Sequence, residues 1–126
     1  REESFCPTCK RKQETICIDF DGVIYKYELG YQQGKLSELP ISGAKEQMAT
    51  FVEKGYKVVI LTARLHPSNS NLLEIMIDIK KWLTYHGFNQ GTHYHIITNN
   101  KPPALAYIDD RAIRFENNWL TIRKYF

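Results

Sequence analysis

Apolar positions in this chain fall into short continuous runs that alternate with helical stripes. Residues 15–20 (Thr-Ile-Cys-Ile-Asp-Phe) are β-branched and nearly all apolar, as in a central strand of a parallel sheet. The run breaks at Asp21-Gly22, a strong turn signal. Residues 25–40 alternate only briefly and carry Gly30 and Gly34, which predicts a small hairpin or flap. Ser42-Gly43 opens a helix to about Lys54, with Met48, Phe51 and Val52 on its apolar side and Gly55 at its end. Residues 57–61 form a second buried strand. After Thr62-Ala63-Arg64 and a Pro-, Ser- and Asn-rich loop, Leu72, Ile75, Ile79 and Leu83 stand at helical spacing; Gly87 stops that helix near His86. Residues 94–98 and 104–108 are predicted as third and fourth strands, and Arg114-Phe115 as a short fifth. Asn118 is placed to cap a closing helix carrying Trp119, Leu120, Ile122 and Tyr125.

Strands that alternate with helices imply right-handed crossovers and a parallel sheet covered on both faces, a three-layer α/β domain over residues 15–126. Residues 1–14 are charged, hold a C-x-x-C and lack apolar periodicity; they read as an arm or the remnant of a neighbouring module. The length of 126 residues suits one domain, and 43% apolar with 25% charged residues is ordinary for a globular chain. No run approaches the roughly 20 apolar residues of a membrane span, and no basic-then-apolar leader opens the chain. Because it begins with Arg1, a processed chain or a piece of a longer one is expected. Three cysteines, an odd number, argue against a disulfide framework and for a reducing, cytoplasmic setting. A net charge of +3 is compatible with an anionic substrate but is too weak to argue for nucleic acid by itself.

Ligands of open parallel sheets sit beyond the carboxyl ends of the strands. Three of the four best strands end there in reactive polar residues: Asp19 and Asp21, Thr62, and Asp109 with Asp110. If the first and fourth strands are neighbours, four carboxylates crowd one place, which requires a cation or protons. Carboxylates with a backbone carbonyl make a hard oxygen site suited to Mg²⁺. With Mg²⁺ and Lys101 present the set carries a net charge of −1, or zero when one Asp is protonated, so a phosphate dianion can approach.

The run Ile18-Asp19-Phe20-Asp21-Gly22-Val23 resembles the first motif of the haloacid dehalogenase (HAD) superfamily of phosphotransferases. Val59-Ile60-Leu61-Thr62 resembles the second motif, Lys101 in Asn99-Asn100-Lys101-Pro102 the third, and Tyr107-Ile108-Asp109-Asp110 the fourth. All four stand in order, with Val23 where many members have Thr. The resemblance implies a Rossmann-like fold and a Mg²⁺-dependent phosphomonoesterase. Asp19 would be the nucleophile that becomes an aspartyl phosphate, and Asp21 the acid and then base. Thr62 would donate to the phosphoryl group and Lys101 would balance charge. Asp19, Asp110 and the Asp21 carbonyl would hold the metal, with Asp109 as a water-mediated ligand or support. Asp21 and Thr62 lie 41 positions apart, and Thr62 and Lys101 lie 39 apart, so neither gap has room for a cap domain. An open site goes with bulky or macromolecular phosphate esters. Arg64 and Arg111, each beside a site residue, resemble the arrangement in polynucleotide 3′-phosphatase modules and small phage and bacterial members, which makes a nucleic-acid end or a nucleotide a candidate substrate.

Plainer readings stand beside these. Aspartates also cap helices and form turns. An acidic cluster with Lys can also accept phosphate without turnover, as a non-catalytic binding or interaction module. Cys6 and Cys9 could be half of a Zn²⁺ site, whereas Cys17 is expected simply to be buried. His93 and His95 should face the same way on the third strand, too few to hold a metal, and His66 reads as a loop histidine. Lys10-Arg11-Lys12, Lys80-Lys81 and Arg114 are expected to be solvated, or to frame an anionic track. Tyr25 is expected to pack the flap, while Tyr31 is free either to pack or to stack on a ring.

Overall fold

A computed structural model describes Ser4, Phe5 and residues 12–126. Strands β1 (Ser4–Phe5) and β2 (Lys12–Gln13) pair antiparallel. Cys6, Cys9, Lys10 and Arg11 lie outside the described residues.

The domain is a mixed α/β, Rossmann-like arrangement. Its four parallel strands are β3 (Thr15–Asp19), β4 (Lys57–Leu61), β5 (Ile96–Thr98) and β6 (Ala106–Ile108), in the order β5-β4-β3-β6. The central strands β3 and β4 bury their three middle residues, which is why they read as continuous apolar runs. Helix α1 (Ala44–Glu53) crosses from β3 to β4, and α2 (Leu72–Tyr85) from β4 to β5. Both crossovers step the same way along the sheet, so right-handed connection puts both helices on one face. Met48 of α1 and Ile79, Trp82 and Leu83 of α2 accordingly join one core with Ile16, Ile18, Val58, Ile60 and Ile97.

On the opposite face Cys17 and Val59 are buried, and the β5–β6 connection serves that side: Tyr107, in register with Cys17, donates its hydroxyl to the Pro102 carbonyl at 2.7 Å. That connection is too short for a helix and contains Pro102-Pro103, which cannot donate to one.

Other elements differ from expectation for local reasons. Strand β5 begins at Ile96 rather than Tyr94, because the Tyr94 carbonyl accepts the Gly91 N–H in a turn. Strand β6 begins two residues late, after the prolines. Arg114-Phe115 forms no strand. The closing helix α3 is Trp119–Ile122 and runs on as a 3-10 turn over Arg123–Tyr125, and the Asn118 carboxamide accepts the Glu116 N–H instead of capping it. The flap is a loop closed by a single antiparallel bridge, Tyr25 to Pro40, with a 3-10 turn at Gln32–Gly34. Tyr25 is fully buried as expected, stacked on Phe20 and edge-on to Trp82. Its hydroxyl accepts the N–H groups of Ser37 and Glu38, and Trp82 Nε1 donates to the Glu38 carbonyl, so the loop is anchored at its base.

Candidate active site at the carboxyl edge of the sheet

Adjacent strands β3 and β6 deliver three carboxylates to one point. An oxygen from each of Asp19, Asp109 and Asp110 lies within 4.8 Å of the others. Asp19 is half-buried at the end of β3, while Asp109 and Asp110 are exposed. Burial, then the charges of Asp109, Asp110 and Asp21, push the Asp19 carboxyl up to about 6; a backbone hydrogen bond from Phe20 opposes them. Asp110 can approach because residue 22 is glycine: a Cβ there would collide with Asp110 Oδ2. Gly22 also holds φ at +83°, a conformation that favours glycine. Asp109 is braced by the Arg111 N–H, which donates to Oδ1 at 2.8 Å.

These three carboxylates fit a hard divalent cation. The donors are all oxygens, they carry excess negative charge, and they span a distance that metal–oxygen contacts of about 2.1–2.6 Å can bridge with small adjustment.

Asp21 lies outside that trio. Its carboxylate is forked by Arg64: Nε donates to Oδ1 and Oδ2 at 3.1 and 3.0 Å, and Nη2 to Oδ1 at 2.9 Å. Arg64 is only 4% exposed, and the rings of Tyr31, Tyr25 and Tyr27 lie 5.1, 5.6 and 5.7 Å from its Cζ. Arg64 is thus committed to Asp21 rather than projecting as a free anion-binding side chain. Thr62 is buried at the end of β4, and its Oγ1 accepts the Arg64 N–H at 3.2 Å, leaving its own O–H free to donate elsewhere.

Lys101 does not join the carboxylates. Its Nζ sits 4.3 Å from the Tyr107 ring centroid, and among the described residues the ion pairs are Arg64–Asp21 and Arg114–Glu116. Its charge is felt by Cys17, whose thiol burial pushes up while Lys101 opposes. The Arg111 side chain is exposed.

The histidines are structural. Asn89 N–H donates to His93 Nδ1 and Val58 N–H to His95 Nδ1, so the two rings serve separate backbone contacts rather than a shared face. His66 bonds locally with Ser68.

Two features were missed from the sequence. The Gly22–Asp110 approach looked like a turn alone, and the Arg64–Asp21 pair joins residues 43 positions apart. The cluster of Tyr25, Tyr27 and Tyr31 was the available signal, since tyrosine faces attract a guanidinium.

Comparison with family models, curated proteins and solved structures gives no match.

Proposed function

We propose that this chain is a Mg²⁺-dependent phosphomonoesterase of the haloacid dehalogenase type, working through an aspartyl phosphate. The observation that carries the reading is the convergence of Asp19, Asp109 and Asp110 at the ends of adjacent parallel strands. The ordered likeness of four short motifs to that superfamily supports it.

In this reading an Asp19 carboxylate oxygen attacks phosphorus, and the ester P–O bond breaks. The leaving oxygen takes a proton from Asp21. Asp21 then takes a proton from water, the water oxygen attacks phosphorus, and the Asp19–phosphorus bond breaks to release inorganic phosphate. The Thr62 hydroxyl donates to a phosphoryl oxygen, and Lys101 turns from Tyr107 to balance its charge. Mg²⁺ held by Asp19, Asp110 and the Asp21 carbonyl, with Asp109 in support, would neutralise charge that develops in the transition state. Arg64 fixes the plane of the Asp21 carboxylate. With no cap domain among the described residues, bulky esters, including nucleotides and nucleic-acid ends, can reach Asp19.

Phosphate release from phenyl phosphate, with Mg²⁺ and with EDTA, tests the proposal. Release should require Mg²⁺, vanish in Asp19→Asn, and fall about 10²–10⁴-fold in Asp21→Asn. A second reading, a non-catalytic phosphate-binding module, is favoured by one observation: Lys101 rests on Tyr107 and not beside the carboxylates. Phosphate binding with no turnover of any ester would support that module and end the catalytic reading.

A further inference from the structure

A concavity of about 240 Å³ adjoins Arg64, with Tyr31, Gln33, Asn69, Asn71, Glu74 and Asp78 in its lining. Two of these residues touch Arg64 directly. The Tyr31 ring lies 5.1 Å from the guanidinium carbon, and Asn69 Nδ2 donates to the Arg64 carbonyl at 2.8 Å. The concavity is thus two contacts away from Asp21, the residue assigned to protonate the leaving oxygen. On the reading above, it is a concavity linked through Arg64 to the residue that protonates the leaving group.

Its chemistry is specific. Glu74 and Asp78 stand four residues apart on α2, where like charges face each other and repel. Neither forms an ion pair among the described residues. Asn71 precedes the helix without its side chain capping it, which leaves that amide available. Tyr31 is 47% exposed, so part of its ring remains open to a ligand. One aromatic surface, amides that donate and accept, and two acceptor-only carboxylates match a ring bearing several hydroxyl groups. The same carboxylates repel a phosphodiester backbone. The volume lies below the roughly 300–1,000 Å³ of sites for drug-sized ligands, which suits a single ring.

We infer that this concavity is a subsite for a neutral, hydroxyl-bearing ring, and that the leaving group of the substrate is a sugar rather than a polynucleotide. The inference rests on the phosphatase reading only for the word substrate; the subsite itself binds the neutral alcohol. Saturation-transfer NMR on the full chain without Mg²⁺, using ribose, glucose and uridine as probes, tests it apart from turnover. Saturable transfer to the sugar-ring protons is expected, weakened at least tenfold in Glu74→Ala/Asp78→Ala and in Tyr31→Leu. Preference for ribose and uridine together would mark a nucleoside source, and equal binding of ribose and glucose a free sugar; both support the subsite. Circular dichroism checks that the variants fold, and all three substituted positions are exposed. No saturable binding of any probe, binding unchanged in both variants, or stronger competition by a 3′-phosphorylated oligothymidylate would overturn it. Any of those results leaves the phosphatase reading to stand or fall on phosphate release.

Discussion

Gly22 carries two constraints at once: its backbone lies at φ +83°, and the Asp110 carboxylate occupies the space a side chain would need. Gly22→Ala should therefore destabilise the chain by about 1–3 kcal/mol in urea denaturation and weaken Mg²⁺ binding, because Asp110 must move away from Asp19. An unchanged metal titration would show that this approach is not needed for the cation. Arg64 is the other decisive residue. Its local sequence, Thr-Ala-Arg after a strand, suggested a surface arginine reaching for a substrate anion. Only the folded chain puts Asp21 and three tyrosine rings around it.

The elements obey local chemistry where their cores are continuous. Strands β3 and β4 and helices α1 and α2 stand within one or two residues of the sequence reading, because their apolar positions face one shared core. The start of β5 depends instead on a contact with β4 that no pattern reveals. His95 donates its N–H to the Val58 carbonyl and accepts the Val58 N–H at Nδ1. Burial and the charge of Lys57 hold this imidazole below its ordinary 6.5. The unfolded chain therefore takes up a proton more readily than the folded one. Stability from His95 is present above pH 6.5 and is lost as pH falls through the lower, folded value. Between pH 7 and pH 5 the parent should lose stability in urea relative to His95→Gln, the comparison that cancels the opposing contribution of Asp19. An identical slope in the variant would assign the pH dependence to other groups.

Over the whole molecule the Asp19 carboxyl acts in the opposite sense. Its folded value of about 6 exceeds the ordinary 3.8. Its contribution to stability is complete below pH 3.8 and is lost as pH rises through 6, because burial strips hydration from the ionised carboxylate and its acidic neighbours then repel it. Metal-free Asp19→Asn should accordingly be more stable than the parent at pH 7.5, by about 1–2 kcal/mol in urea with EDTA. Added Mg²⁺ should raise the melting temperature of the parent at that pH and raise that of the variant much less. No Mg²⁺ effect on the parent would remove the cation from the site.

The order of strands and helices, the two apolar stripes and the residues that end each strand were determined by the sequence alone, because side-chain periodicity and glycine or proline breaks are local properties. The four carboxylates could be placed at one sheet edge on the same grounds, since parallel strands all finish on that side. What the tertiary structure decided is how they divide. Asp19, Asp109 and Asp110 gather, while Asp21 turns to Arg64 and Lys101 to Tyr107. It also decided that the β5–β6 connection, which runs through Pro102-Pro103, forms no helix. Charge pairing and cation–π contact join residues far apart in the chain, and such contacts exist only after the backbone has folded.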